Sequence, residues 1–205
     1  MSAIIVDKEA KKEKIIKAAI QVFARKGFAR TTISDVAMEA NIGKGTVYEY
    51  FSTKEELIHE GFSYFVRALG FDFSVVLASS QAADKKLAGI FRLLVKMIQS
   101  DDQGFIELIF DVWAEGMKSS ASKKPILNEL KNFYKEYGKL LEEILKDGIR
   151  DKSFRPDIKP RLVSSVLIGM MDGVMIQWLL DKKNFNMEGA VEAMIVTILK
   201  GIRRE

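Results

Sequence analysis

Lys44, Thr46, Tyr48 and Tyr50 fall within one short stretch, between two Thr-x-x-acid pairs at Thr32–Asp35 and Thr53–Glu56. An ammonium, an aliphatic hydroxyl and two phenols suit hydrogen bonding to a polyanion. Lys44 suits a guanine edge or a phosphate, and Thr46 a thymine methyl or a phosphate. The tyrosine hydroxyls suit phosphate oxygens. On an isolated helix the same residues would form a solvated polar face, so the elements that hold them decide between the two.

Thr32 and Asp35 have the spacing of a reciprocal helix cap. Behind them Ile33, Val36, Ala37 and Ala40 recur at helical spacing and give one apolar face about two turns long. Asn41 stands where a helix stops on a left-handed residue. Gly43 precedes the next helix, where glycine serves as a cap without a side-chain acceptor. That helix, Lys44 to Phe51, places Val47 and Phe51 on one face, to pack on Ile33 and Val36. Its N-terminal end would then enter a major groove. Thr53 and Glu56 open a further helix whose free N–H groups offer a phosphate seat. Upstream, residues 8–27 read as one helix buried through Ile16, Ala19, Ile20 and Phe23 and stopped by Gly27.

With these features in this order, the stretch IIKAAIQVFARKGFARTTISDVAMEANIGKGTVYEYFSTKEELI resembles the tetracycline-repressor-like (TetR) family of bacterial transcription regulators; the resemblance covers residues 12–60. It implies that Thr32, Lys44, Gly45, Thr46, Tyr48, Tyr50 and Lys54 are the phosphate- and base-contacting positions. It also implies a repressor that binds double-stranded operator DNA as a homodimer, joined through its last two helices, and that a small molecule releases. Two positions depart from the family pattern. The turn, usually Gly-Val-Ser, is Asn41-Ile42-Gly43, and the residue before Tyr50 is the acidic Glu49. Glu49 could accept from a cytosine amino group, stand in solvent, or orient Lys44.

Composition narrows the alternatives. The chain has 205 residues, 48% of them apolar, with three prolines and no cysteine. That balance predicts an all-α protein with a sizeable core, and excludes disulfides, thiol catalysis and cysteine-based metal sites. One histidine, His59, no metal-spaced cluster and a Gly43-Lys44-Gly45-Thr46 run without the upstream glycine of a Walker loop argue against an enzyme and imply no cofactor. Net charge is +4, and residues 1–60 hold ten Lys/Arg against nine Asp/Glu. Any duplex affinity must therefore come from a locally basic surface and fall as salt rises. The charged start around Asp7, Lys8 and Glu9 is no signal peptide, and a cytoplasmic location is expected. Residues 162–180 are long enough to span a membrane. Asp172 in their middle points instead to a buried protein interface and no membrane partner.

Six more helices are expected, near 54–77, 83–100, 103–117, 124–150, 157–182 and 187–203, for about nine in all. The domains divide as 1–53, the helix-turn-helix part, and 54–205, a ligand-binding and dimerisation part. The helix from Lys54 joins them without a flexible linker. The last two helices carry more apolar surface than one face can hide, which predicts a two-fold four-helix interface. Its expected residues are Val163, Val166, Leu167, Met171, Val174, Trp178, Met194, Ile195 and Ile198, with Gly169, Gly173 and Gly189 allowing close approach. A pocket for a hydrophobic small-molecule effector is expected from Phe62, Phe65, Leu94, Met97, Phe110, Trp113, Phe133, Tyr137 and Met170. Each of these also suits a filled core. Glu107, Asp111, Glu115 and Asp172 lie in apolar stretches, to meet a cationic ligand, a neighbouring donor or solvent. A helical interaction module without duplex affinity is the remaining alternative.

Overall fold

The computed structural model describes residues 3–79, 81–100, 104, 106–110 and 124–204, without the side chains of 3–7, 65–72, 124–127 and 129. Among these residues every regular element is a helix. In chain order they are α1 (Ala3–Lys26), α2 (Ile33–Glu39), α3 (Lys44–Tyr48), α4 (Lys54–Ala78), α5 (Ala83–Gln99), α6 (Lys124–Arg150), α7 (Pro160–Leu180) and α8 (Met187–Ile202). Residues 106–110 are also helical. The rest of the helix expected over 103–117 lies outside the described residues.

The boundaries follow local chemistry. α1 ends at Gly27, whose φ of 77° is left-handed and whose N–H reaches the Phe23 carbonyl. It begins at Ala3, five residues earlier than the periodicity suggests, since no proline or glycine interrupts the start. α3 ends at Tyr48, short of the expected Phe51, with Glu49 as its cap residue. α7 begins at Pro160 rather than 157, because proline fits the first turn and holds Lys159 extended (φ −101°, ψ 99°).

The chain forms two compact units. The first holds Met1–Ala68 and Asp101–Leu130, and the second Leu69–Ser100 and Lys131–Glu205. In the first, Ile15, Ala19, Ile20 and Phe23 of α1 form one core with Ile33 and Val36 of α2, Val47 of α3, Phe51, Leu57 and Leu108. In the second, α5 buries Leu87, Ile90, Phe91 and Leu94 and packs against α8. Arg92 bonds Glu192 through both carboxylate oxygens, and Arg203 pairs with Asp84. The loop after α6 is anchored by Phe154, whose ring fills the space a side chain at Gly148 would need. Phe154 bridges to Arg203, so the residues just after α8 are tied to this loop.

α7 is apolar and long enough to cross a membrane by length and composition, with 22% of that window buried. Leu162, Val166 and Leu180 of α7 and Val196 of α8 are exposed. Leu167, Met171, Met194 and Ile195, expected on the interface, are instead buried in the chain's own core. Both helices are apolar around most of their circumference, so the pattern alone does not say which face turns inward. Val163, Val174, Trp178 and Ile198 are half-buried. A side chain at Gly169 or Gly173 would meet nothing within 4 Å. Gly189 has a different use from the one expected. A Cβ there would lie 2.6 Å from Asn186, whose carboxamide caps α8 by accepting from the Gly189 N–H at 2.9 Å.

Candidate nucleic-acid interface

The α2–α3 corner is built from local contacts. Thr32 and Asp35 form the full reciprocal cap. The Asp35 N–H reaches the threonine hydroxyl at 3.2 Å, and the Thr32 N–H reaches the carboxylate at 3.0 Å. The hydroxyl also donates to Asp35 at 2.9 Å. At the other end of α2, Asn41 adopts φ 51°. The Ile42 N–H then bonds the Ala37 carbonyl at 3.0 Å, and the Asn41 N–H bonds Met38 at 3.1 Å. These are the paired bonds of a left-handed helix stop, and Ile42 packs on the core as such a stop favours. Asparagine at the left-handed position and an apolar residue after it thus do the work of the family's Gly-Val. Gly43 caps α3 with no side-chain bond.

Val47 and Phe51 anchor α3 inward, at 0% and 1% exposure. Lys44, Gly45, Tyr48 and Glu49 are left exposed, and Thr46 half-buried. The Lys44 ammonium lies 5.8 Å from the centre of the Tyr48 ring, a cation–π contact that holds two polar groups on one side of the helix. Gly45 has open space where a side chain would be.

The remaining expected contact residues hold the corner together. Tyr50 lies past the end of α3, half-buried against the core. Lys54 points its ammonium at the carbonyls of Phe28 and Ala29, both at 3.1 Å, and Thr31 at 3.4 Å. It also sits 4.7 Å from the Phe28 ring centre. The second expected cap is realised in a shifted form. The Glu56 N–H meets the Thr53 hydroxyl at 3.1 Å, while the Glu56 carboxylate takes the Ser52 N–H at 2.7 Å.

Sequence reasoning missed the clasp between α1 and α2. Arg25 pairs with Glu39 and Lys26 with Asp35. Arg30 and Thr31 donate to the Lys26 and Gly27 carbonyls, both at 2.9 Å, closing the end of α1. Two cations in the last turn of α1 were the signal available, because that is where the helix dipole favours them. Lys26, and then the Thr32 N–H and hydroxyl, hold the Asp35 carboxyl at about 2.

The residues expected in a ligand pocket fall in both units. Phe62 packs on the core of the first, where half-buried Phe110 also belongs. Trp113, Asp111 and Glu115 lie outside the described residues, as does the side chain of Phe65. In the second unit Leu94 is buried, and Met97 and Met170 are half-buried. There the structure brings Phe133 and Tyr137 together, stacked at 5.9 Å, with Phe73 also stacked on Tyr137 at 5.6 Å. Tyr137 is 7% exposed, and its hydroxyl has no partner among the described residues. Asp172 accepts from the Tyr134 hydroxyl at 3.0 Å. Burial pushes the Asp172 carboxyl up, and that hydrogen bond opposes the shift. Burial, and then the charge of Asp172, raise both tyrosines and keep their hydroxyls protonated. Beside Tyr134 a groove of about 620 Å³ opens between α6 and α7, lined in part by Gly138, Arg161, Ser164 and Ile168. No group of three or more metal-binding side chains occurs among the described residues.

Comparison with known proteins bears on both units. Residues 15–60 match the family of bacterial regulatory proteins of the tetR type, and residues 114–201 match the C-terminal region of YsiA-like proteins. The chain is 23% identical over 202 residues to a fatty acid metabolism regulator protein of Bacillus subtilis, covering 97% of this chain and 98% of that one. It is 27% identical over 154 residues to the transcriptional repressor KstR2 of Mycolicibacterium smegmatis, covering 75% and 72%. The fold is similar to that of the Bacillus subtilis regulator FadR in complex with stearoyl-CoA. That match has a TM-score of 0.73 at 22% identity and covers 93% of this chain and 99% of that one.

Proposed function

Because the chain belongs to the TetR family of bacterial transcription regulators, we propose that it represses its genes as a homodimer released by a long-chain acyl-CoA. The observation that carries the DNA-binding part is α3, anchored inward by Val47 and Phe51, with Lys44, Gly45, Thr46 and Tyr48 on its free side. In this reading two such helices enter successive major grooves, about 34–36 Å apart, and the operator is an inverted repeat. Lys44 and Tyr48 bear on phosphate or base edges. Gly45 lets the helix backbone come close. Thr32, Tyr50 and Lys54 act mainly by fixing the corner that aims α3.

The two-fold contact is supported by the exposed Leu162, Val166 and Leu180 of α7 and Val196 of α8, and by the open space over Gly169 and Gly173. Val163, Val174, Trp178 and Ile198 border this surface. Exposed apolar side chains on two helices of one unit are what a second copy would cover.

The acyl-CoA reading draws on the fatty acid metabolism regulator and on the relative seen with stearoyl-CoA. The second unit offers fitting chemistry: stacked apolar rings at Phe73, Tyr137 and Phe133, and the partnerless Tyr137 hydroxyl. A buried hydroxyl left unpaired costs about 1–3 kcal/mol, and a thioester carbonyl would satisfy it. For release, the ligand must favour the DNA-free state by several kcal/mol.

The test is fluorescence anisotropy of the protein on a duplex it has selected, titrated with stearoyl-CoA. Release by stearoyl-CoA, with free coenzyme A inert, is the expected result. Retention of the duplex at saturating stearoyl-CoA, with binding to it absent by calorimetry, would remove the acyl-CoA assignment and leave the DNA-binding role standing.

A further inference from the structure

We propose that Glu49 specifies a cytosine in each half-site, its carboxylate accepting a hydrogen bond from the N4 amino group of that base. The proposal rests on the duplex-reading role of α3. Successive residues of a helix are about 100° apart around its axis. Val47 is fully buried, so Glu49, two residues on, lies on the opposite, outermost line of α3. Gly45, four residues earlier, shares that line and has open space around it. The surface that comes nearest to a bound duplex is therefore a glycine followed by a carboxylate.

That carboxylate is uncommitted. Among the described residues Glu49 makes no side-chain hydrogen bond or ion pair, whereas three acids of the same corner are engaged: Asp35 with Lys26, Glu39 with Arg25, and Glu56 with the Ser52 N–H. The nearest cation on the helix, Lys44, lies over Tyr48. Orientation of Lys44 by Glu49 is thus not the arrangement found.

Pressed against a polyanion and stripped of water, an unpaired carboxylate weakens binding unless it meets a donor. The major groove offers two, cytosine N4 and adenine N6, while guanine and thymine present acceptors. Adenine also places its N7 acceptor beside N6, where it repels the second carboxylate oxygen. Cytosine has no such neighbour on the same base, so it is the base that Glu49 selects.

The test is selection of random duplexes on the intact protein beside Glu49→Gln and Glu49→Ala. The wild type should enrich cytosine at one symmetry-related pair of positions. Glu49→Gln should move that pair to adenine, whose N6 and N7 suit a carboxamide. Glu49→Ala should erase the preference, worth roughly 5–150-fold in discrimination, and leave the other positions unchanged. Because Glu49 is exposed, both variants should keep the wild-type melting temperature, which separates readout from misfolding. The same preferences in all three proteins, or a uniform gain of affinity for every duplex on removing the charge, would overturn the proposal. A wild type that enriches nothing would overturn the DNA-binding role of α3 itself.

Discussion

The two units leave different things uncovered. Around α3 the leftover groups are mostly polar: Lys44, Tyr48 and Glu49 stand exposed, with Met38 of α2 the one large apolar side chain beside them among the described residues, while Arg25 pairs with Glu39 and Lys26 with Asp35. On α7 and α8 the leftover groups are apolar: Leu162, Val166, Leu180 and Val196. A surface of uncommitted hydrogen-bonding groups fits a hydrated polyanion, and a surface of uncommitted aliphatic groups fits another apolar surface. The contrast is in keeping with the proposed partners, DNA for the first and a second copy of the chain for the second.

The largest effect should come from attacking the apolar surface. Leu162→Asp combined with Val166→Asp should give a monomer by sedimentation equilibrium. The loss of the second half-site should lower operator affinity on the order of 10²-fold or more. If this double variant stays dimeric, the two-fold contact lies elsewhere. Next, Lys44→Ala with Tyr48→Phe should weaken operator binding about 10–100-fold in anisotropy titrations and lower the salt dependence by about one ion. Its oligomeric state should not change.

Two glycines, one in each unit, differ in what a side chain would meet. Gly148→Ala drives a Cβ into the Phe154 ring and should cost about 1–3 kcal/mol in denaturant unfolding. Gly45→Ala meets nothing in the free protein and should stabilise it by about 0.5–1 kcal/mol, yet weaken duplex binding. On the proposed function, one glycine serves the fold and the other the approach of DNA. A Gly45→Ala variant with unimpaired binding would refute the second half of that statement.

The smallest expected effect is in pH. The folded Asp35 carboxyl sits at about 2 against an ordinary value of 3.8. Because the folded value is depressed, this stabilisation is complete above about pH 4 and disappears as pH falls towards 2. Acid unfolding of an Asp35→Asn variant should lack that component. Thr32→Ala should cost about 1 kcal/mol at neutral pH through the same cap.

The corner was legible in the sequence because its determinants are local. Thr32 and Asp35, Asn41, and Val47 with Phe51 act across three or four residues, and a one-dimensional pattern records such spacings. The three carbonyls that hold Lys54 lie 23 to 26 residues away, and no spacing rule announces them. The apolar helices were legible as a class and not as faces. Four of the nine expected interface residues are buried within the chain, while Leu162, Leu180 and Val196, not among the nine, are exposed. A helix apolar nearly all round has its inward side chosen by its neighbours, which only the fold supplies. Tyr137 was expected among the pocket residues for its ring, but its partnerless hydroxyl appears only once its surroundings are known.

The most direct measurement is selection of random duplex DNA on the wild-type protein at about 150 mM salt, beside the Lys44→Ala, Tyr48→Phe variant. An enriched inverted repeat that the variant fails to enrich is the expected result. The same repeat from both proteins, or none from the wild type, would contradict the assignment of α3 as the reading element.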